Sequence, residues 1–266
     1  MTALGGLDPR YRAILCDIWG VVHDGGRLLP GAAERLLAWQ AEGRRVILVT
    51  NAPRPASTIA AQLDALGLPR GAYDAITSSG QAGIAALTDP RRAVGFLGME
   101  EDRADLEQGG VRIASSGFTE LACTGLDARS DDPADYRDDL AALAAADVRM
   151  HCLNPDRVVI HRGRREACAG ALADLYEAMG GRVTWYGKPH AAIYDHARML
   201  AGDPPRAAML AVGDSLATDM VGAARYGIAA VYVTSGIHAG EPIPTDFASR
   251  HGLGDWQPLM TVAGLD

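Results

Sequence analysis

The sequence has few basic residues for its size. Of its 266 residues, 25 are Lys or Arg and 33 are Asp or Glu, so the formal net charge is -8. A nucleic-acid-binding domain shows a basic patch or stripe, and a protein held on an anionic membrane shows a polybasic segment. The composition therefore argues against both partners. It leaves room for a small phosphorylated ligand, because a single cleft can be locally positive in an acidic protein.

Paired cysteines and long apolar runs are also missing. The four cysteines form no C-x-x-C pair and no zinc-like spacing with the seven histidines; they are Cys16, Cys123, Cys152 and Cys168. Cys16 falls inside a predicted strand, where a buried, inert thiol is expected. The N-terminal residues "MTALGGLDPR" lack a signal pattern, and no apolar run approaches the roughly 20 residues of a membrane helix. We therefore expect a cytoplasmic protein.

Apolar runs alternate with helical patterns along the chain. "AILCDIW", "RVILVTNAP" and "AITSS" read as strands separated by helices, and the same texture returns near the C-terminus. This order predicts an α/β fold with a Rossmann-like, doubly wound parallel sheet. The middle of the chain differs in composition. We therefore predict a core of residues 1–84 plus 183–266 and an inserted, smaller α/β domain over residues 85–182.

The middle segment contains the acidic stretch "DARSDDPADYRDDL". Asp131 and Asp132 precede a proline in it, which is the arrangement of a helix N-terminal cap. The stretch is therefore predicted to start a solvated helix rather than to bind a metal ion.

Polar residues follow the predicted strands at four places. They are Asp17, the pair Thr50 and Asn51, Lys188, and the pair Asp214 and Asp219. A parallel sheet brings the carboxyl ends of its strands to one edge, and open α/β sheets place their chemistry there. The spacing therefore predicts that these side chains share one site.

Four of these residues suit phosphoryl transfer. An aspartate such as Asp17 can attack phosphorus and form an acyl phosphate. Thr50 and Asn51 can bind the transferring oxygens. Lys188 can neutralise charge on the carboxylate and on the phosphoryl group.

The remaining carboxylates suit a metal ion. Asp214, together with Asp17 and a backbone carbonyl, supplies the hard oxygen ligands that Mg²⁺ takes. Asp219 would lie on the following helical turn, close enough to ligate the ion or to orient a ligating water.

In its motifs the chain resembles the haloacid dehalogenase (HAD) superfamily. The matching stretches are "DIWGV", "VTN", "GKP" and "GDSLATD", in that order, and the large insert resembles the type-2 cap of the NagD-like, class IIA branch. The resemblance implies a Rossmann-like core, a cap domain, Mg²⁺ as cofactor, and hydrolysis of a small phosphorylated metabolite. Asp17 would then be the nucleophile. Asp17, Asp214, Asp219 and the Trp19 backbone carbonyl would hold the metal ion.

Two further stretches resemble motifs of that branch. "TSSG" contains Ser79 and Gly80, and "NPD" contains Asn154 and Asp156; by the resemblance all four would bind substrate. Asn154 and Asp156 have an alternative interpretation, which is that they end a strand with an Asn-Pro turn. Caps of this type often pack in dimers, so a homodimer stays open as an alternative.

Trp19 departs from the family pattern. Phosphatases of the family carry a second Asp at this position, which protonates the leaving oxygen. An indole N–H cannot do so, and such assistance is worth about 10²–10⁴-fold in rate. The substitution leaves the backbone carbonyl available, so metal binding is expected to persist.

Three functions remain open. The first is a phosphatase of weakened activity, either restricted to good leaving groups or assisted by His23 or Asp24 as a substitute acid. The second is a catalytically impaired protein that binds a phosphorylated ligand or a partner. The third is a dehalogenase, which needs no proton for its leaving halide. The acidic "GDSLATD" pattern disfavours that third alternative, because dehalogenases need no Mg²⁺. We therefore predict the first function, an Mg²⁺-dependent phosphatase of restricted or weakened activity.

Overall fold

The computed structural model describes residues 3–161, 164–234 and 243–266. They fold into two compact units. The first comprises the described residues of Met1–Thr50, Ala60–Thr77 and Lys188–Asp266, and the second those of Asn51–Ile59 and Ser78–Gly187. The predicted limits of the insert, at residues 85 and 182, lie several residues inside the second unit.

Strands and helices alternate along most of the chain. The strands are β1 Ala13–Asp17, β2 Arg45–Thr50, β3 Ala75–Ser78, β4 Val94–Leu97, β5 Glu120–Cys123, β6 Arg149–Cys152, β7 Val158–His161, β8 Arg164–Ala167, β9 Arg182–Trp185, β10 Met209–Gly213, β11 Ala229–Val233 and β12 Met260–Val262. The helices are α1 Ala32–Ala41, α2 Ala56–Ala65, α3 Ser79–Leu87, α4 Glu100–Gln108, α5 Arg137–Ala145, α6 Ala169–Ala178, α7 Ala191–Leu200, α8 Val221–Tyr226 and α9 Phe247–Arg250.

The first unit is built on a six-stranded sheet in the order β12-β11-β10-β1-β2-β3. The strands from β12 to β2 run parallel to their neighbours. Every residue of β1 is buried, as expected for a central strand covered on both faces. The chain builds outward in opposite directions from β1 and from β10, so the topological switch point lies between these two strands. The predicted doubly wound fold is confirmed, and the switch point is where such sheets place ligands.

The second unit contains a four-stranded parallel sheet in the order β4-β5-β6-β9 and a separate antiparallel pair, β7 and β8. The acidic stretch begins a helix there, as predicted. The Asp132 side chain accepts a hydrogen bond from the Ala134 N–H at 2.8 Å, and Pro133 opens the 3₁₀ turn that leads into α5.

One strand lies in a different sheet from the one predicted. The run "VTWYG" forms β9, but β9 pairs with β6 in the second unit and does not join the six-stranded sheet. The motif order suggested that Lys188 follows a strand of the core sheet. The strand before Lys188 belongs instead to the sheet of the second unit. The short apolar pattern of β9, a half-exposed edge strand, suits either sheet, and only long-range pairing decides between them.

No helix in the described ranges is both long enough and apolar enough to span a bilayer.

Candidate active site

Asp17 and Asp214 are brought together by the register of two adjacent strands. β1 pairs with β10 such that Cys16 lies opposite Val212, so Asp17 ends β1 beside Gly213, and Asp214 follows at once. Both carboxylates are buried. The predicted convergence of these two residues at the switch point is what the strand register produces.

Lys188 joins this pair from the segment that begins α7. Its side chain is buried, and Nζ lies 2.6 Å from Asp17 Oδ1 and 2.9 Å from Asp219 Oδ1. Burial alone would lower the pKa of Lys188, but the carboxylates of Asp17 and Asp219 raise it well above its usual value. The site therefore holds a fixed positive charge against the Asp17 carboxylate.

Asp219 is directed at Lys188 by a π-helical turn, Leu216–Met220. Its Oδ1 contacts Lys188, and its Oδ2 accepts a hydrogen bond from the Ser215 N–H at 3.3 Å. Burial, reinforced by the nearby Asp17 charge, raises the pKa of Asp219 to about 7. These contacts orient Lys188, a role that differs from the two predicted for Asp219, which were to ligate the ion or to orient a ligating water.

Gly213 makes room for the Asp219 carboxylate. A Cβ at Gly213 would lie 2.1 Å from Asp219 Cγ, so no other residue fits there without displacing the acid. Sequence reasoning used "VGDS" only as a strand end and missed this role. The signal available was the glycine itself, placed directly before a polar strand end.

Three carboxylates in this unit could hold a metal ion. Each of Asp17, Asp214 and Asp219 offers an oxygen within 4.8 Å of the others, and all three side chains are buried. Buried carboxylates normally require a compensating charge, and Lys188 supplies one positive charge to this cluster. The donor set consists of hard oxygens, which suits Mg²⁺ or Ca²⁺.

Trp19 lies in a loop built around its indole. A Cβ on Gly25, whose φ is +89°, would lie 2.5 Å from the indole ring, so only glycine fits beside it. The His23 ring stands edge-on to the indole, with centroids 5.1 Å apart. The loop of this chain is therefore fitted to an aromatic residue at position 19.

His23 and Asp24 use their polar atoms inside the same loop. His23 Nδ1 accepts a hydrogen bond from the Gly25 N–H at 2.9 Å, and burial lowers the pKa of His23. Asp24 Oδ1 accepts from the N–H groups of Gly26 and Arg27, both at 3.0 Å. These bonds lower the pKa of Asp24, and the bond from the Gly26 N–H has the largest effect. A neutral imidazole and an ionised carboxylate are both poor proton donors, so these contacts favour a structural role.

Thr50 ends β2 and Asn51 follows it. Both are buried, and Asn51 clusters with the second unit. Within that unit the Asn51 amide Nδ2 donates to Asp156 Oδ1 at 2.8 Å. Asn154 Oδ1 in turn accepts the Asp156 N–H at 3.2 Å. A Cβ at Gly187 would lie 2.5 Å from Asn51 Oδ1. The "NPD" stretch thus holds the amide of Asn51, which neither predicted interpretation of Asn154 and Asp156 anticipated.

Ser79 and Gly80 open α3. The Ser79 hydroxyl is buried and makes no hydrogen bond to a described residue. The Gly80 N–H donates to the Ala52 carbonyl at 3.1 Å, and a Cβ there would lie 2.1 Å from the Pro53 backbone. The structure places Gly80 as a packing residue against the segment that follows Asn51. Of these two residues, only Ser79 has a side-chain polar atom, and its Oγ makes no hydrogen bond to a described residue.

Ser78 was missed by sequence reasoning. Its hydroxyl caps α3 by accepting the Gln81 N–H at 3.0 Å, and it donates to the Arg54 carbonyl at 2.6 Å. The signal was the serine that precedes the helical run, since Ser is a preferred N-cap residue.

The family models and a solved structure that match this chain belong to the same family. Residues 14–112 match the model described as haloacid dehalogenase-like hydrolase, and residues 185–252 match the one described as HAD-hydrolase-like. A solved hydrolase of the haloacid dehalogenase-like family from Brucella suis 1330 is 33% identical with a TM-score of 0.85, covering 98% of this chain and 97% of that chain.

Two further proteins are similar at lower identity. NagD from E. coli K-12 has the same fold, with 23% identity, a TM-score of 0.72 and coverage of 96% of each chain. The D-glycerol 3-phosphate phosphatase of Mycobacterium tuberculosis is 29% identical over 248 residues, which is 86% of this chain and 64% of that protein.

Proposed function

The chain belongs to the haloacid dehalogenase-like hydrolase family as a class IIA phosphate-ester hydrolase, and we propose that it acts through an aspartyl-phosphate on Asp17. We further propose that Mg²⁺ is its cofactor and that its turnover is weak or restricted to good leaving groups. Its substrate is a small phosphorylated metabolite. One observation carries the proposal: the Asp17 carboxylate, buried at the switch point, lies 2.6 Å from the Lys188 ammonium.

The reaction needs two displacements at phosphorus. In the first, an Asp17 oxygen forms a bond to phosphorus while the bond from phosphorus to the leaving oxygen breaks, and the electron pair stays on that oxygen. In the second, the oxygen of a water molecule forms a bond to phosphorus while the bond from Asp17 Oδ to phosphorus breaks, so that inorganic phosphate leaves, the carboxylate is restored and the proton of the water passes to solvent. Lys188 lies against Asp17 with its charge fixed, so it can offset negative charge that develops in both steps.

Two of the three carboxylates would hold the cofactor. Asp17 and Asp214 are proposed as direct ligands, together with the Trp19 carbonyl, and Asp219 as the residue that orients Lys188. A bound Mg²⁺ would supply positive charge to the transferring phosphoryl oxygens. Thr50 and Asn51 would bind those oxygens through a hydroxyl and an amide.

Trp19 sets the proposed restriction. No proton donor stands at this position, and His23 and Asp24 use their polar atoms in the loop. A substrate whose leaving oxygen is already a weak base needs no such donor, whereas an ordinary alkyl ester does. Acyl phosphates and aryl esters should therefore be hydrolysed faster than alkyl phosphates, by up to about 10²–10⁴-fold for a fully assisted reaction.

A phosphate-release screen tests this function. Purified protein with Mg²⁺ is given acetyl phosphate, p-nitrophenyl phosphate and glycerol 3-phosphate, and Asp17→Asn serves as the matched variant because it preserves size and removes the nucleophile. We expect release from the activated substrates that Asp17→Asn abolishes. Full activity in Asp17→Asn would show that the nucleophile is assigned wrongly. Folded wild-type protein that releases nothing from any substrate, yet binds Mg²⁺, would favour a binding protein instead.

A further inference from the structure

The helical turn that carries Asp219 has an unusual geometry. The N–H groups of Asp219 and Met220 both donate to the Ser215 carbonyl, at 3.0 Å and 3.1 Å, and the second of these bonds has the spacing of a π-helix. Single π-helical turns are rare and are frequently found at functional sites. If this turn relaxed to α-helical spacing, its register would change by one residue, and side chains beyond the change would rotate by about 100° around the helix axis. The direction in which Asp219 points therefore depends on the turn remaining π-helical.

The Tyr194 hydroxyl contacts this turn from helix α7. Its oxygen lies 3.5 Å from the carbonyl oxygen of Thr218 and 3.5 Å from that of Asp219, so one O–H is shared between two acceptors. The side chain is buried. Burial raises the pKa of Tyr194, and the nearby Asp219 charge adds to the shift, so the phenol keeps the proton that it donates. Because both carbonyls belong to the turn, the hydroxyl is placed to hold the turn in register.

Gly222, in the first turn of α8, is fitted to the same side chain. A Cβ at this position would lie 2.2 Å from the Tyr194 hydroxyl oxygen and 2.8 Å from its Cζ. The φ of Gly222 is not positive, so its backbone conformation does not require glycine, and glycine weakens a helix. The close approach of Tyr194 accounts for the glycine. The contact between Tyr194 and the turn is therefore one to which the neighbouring helix is adapted.

The segment that carries Tyr194 also carries Lys188. Lys188 comes three residues before α7, and Tyr194 is the fourth residue of that helix. One segment of the first unit thus holds Asp219 at two points. The Lys188 ammonium contacts its carboxylate at 2.9 Å, and the Tyr194 hydroxyl contacts its carbonyl. Because Lys188 also lies 2.6 Å from Asp17, a shift of the turn would be transmitted through Lys188 to the proposed nucleophile.

Tyr226, on α8, provides an internal comparison. Its ring stacks on that of Tyr194, with centroids 5.2 Å apart and an interplanar angle of 23°, and both side chains are buried. Its hydroxyl donates to Asp195 Oδ1 at 2.7 Å, a bond that also joins α8 to α7. The two tyrosines therefore connect the same helices, but Tyr226 directs its hydroxyl to Asp195 and Tyr194 directs its hydroxyl to the π-helical turn.

We propose that Tyr194 is a positioning residue of the hydrolase, whose hydroxyl holds the π-helical turn in the register that directs Asp219 at Lys188. Lys188 then keeps its place against the Asp17 carboxylate. The inference rests on the proposed function, because the reaction at Asp17 is what gives the position of Lys188 a consequence.

Removal of the hydroxyl alone tests the proposal. Tyr194→Phe keeps the stacked ring, and Tyr226→Phe is the matched control because it removes the other hydroxyl of the same pair. We expect Tyr194→Phe to lower kcat for acetyl phosphate by about tenfold, since a displacement of about 1 Å can cost up to 10²-fold. It should also weaken the binding of inorganic phosphate with Mg²⁺ by about fivefold.

Tyr226→Phe should change both quantities by less than about twofold, because the hydroxyl that it removes donates to Asp195 and not to the turn. It loses the shorter hydrogen bond of the two, so its unfolding temperature should fall at least as far as that of Tyr194→Phe. If Tyr194 had only a structural role, activity would follow stability and the two variants would not separate.

A double-mutant cycle with Asp219→Asn tests the route. The readout is the affinity for inorganic phosphate, measured by calorimetry, because it needs no turnover. If Tyr194 acts through Asp219, Tyr194→Phe should weaken binding by less than about twofold when Asp219 is already replaced. A loss in that background as large as in the wild type would overturn the proposed route.

The outcomes separate this inference from the function on which it rests. Equal losses in Tyr194→Phe and Tyr226→Phe, or no loss in Tyr194→Phe, would overturn the role of Tyr194 even if the wild-type protein shows Asp17-dependent hydrolysis. Wild-type protein that binds phosphate without Asp17-dependent hydrolysis would overturn the proposed function, and the phosphate affinities would still decide the role of Tyr194. Wild-type protein that neither hydrolyses nor binds phosphate would overturn both.

Discussion

Trp19 is the residue at which this chain departs from the family pattern, and the backbone around it makes hydrogen bonds of its own. The loop after Asp17 is held by main-chain hydrogen bonds, among them Gly20 N–H to the His23 carbonyl and Val22 N–H to the Ile18 carbonyl, both at 2.8 Å. None of these bonds uses the indole. The loop should therefore keep its course when the indole is removed, although packing against Gly25 is lost.

Replacing Trp19 by aspartate should restore the missing acid. We expect Trp19→Asp to raise kcat for glucose 6-phosphate, an ordinary alkyl ester, by at least about tenfold, within the range that general acid catalysis supplies. Trp19→Asn is the control, because it is equally small and does not titrate. Steady-state kinetics across pH distinguish the two. Equal rates in both variants would mean that any gain comes from the space that the indole leaves. An unchanged rate in Trp19→Asp would mean that the loop, which is fitted to the indole, does not bring the new carboxylate to the leaving oxygen.

At the scale of elements, periodicity and glycine signals predicted most of the helices and strands but not their partners. Asp17 and Asp214 were found because each ends an apolar run, and their proximity follows from parallel pairing. The position of β9 could not be found in this way, since its apolar pattern suits either sheet. Roles such as that of Gly213 depend on side chains distant in the sequence, which one sequence does not reveal.

A polar network connects strands of the second unit. His151 on β6 is buried, with Nδ1 2.9 Å from the Tyr186 hydroxyl and Nε2 3.3 Å from Glu120 Oε1 on β5. Arg92 pairs with the other Glu120 oxygen at 3.1 Å. Burial lowers the pKa of His151 below its usual 6.5; Glu120 opposes this shift, whereas Arg149 and Arg92 add to it.

The network should make stability depend on pH. Because the folded pKa of His151 lies below that of the unfolded chain, the unfolded state binds more protons near and below about pH 6.5. The contribution of His151 is therefore present above that pH and is lost as the pH falls, with a slope of at most about 1.4 kcal/mol per pH unit. Denaturant unfolding from about pH 8 to pH 5 should show a steeper loss in wild type than in His151→Gln. Parallel curves would exclude this residue as the source.

At the scale of the whole molecule, which has a net charge of -8, some of the negative charge is buried at one place. Asp17, Asp214 and Asp219 share a buried cluster with a single ammonium. The raised pKa of Asp219, about 7, removes part of this negative charge, because the carboxyl group is then partly protonated near neutral pH. A divalent cation would relieve the remainder, so the proposed cofactor should also be a stabilising ligand of the first unit.

Mg²⁺ should therefore raise the unfolding temperature of the protein. A ligand that binds only the folded state, at a free concentration a hundred times its dissociation constant, raises the free energy of unfolding by about 2.7 kcal/mol. This corresponds to a rise in unfolding temperature of roughly 5–10 °C for a chain of this size. Calorimetry with chelator and then with excess Mg²⁺ measures the shift. Asp214→Asn should lose most of it, whereas Asp64→Asn, an exposed acid on α2, should retain it. An equal shift in both variants would place the ion away from the strand ends, because a ligand of the ion cannot be removed without weakening its hold on the folded state.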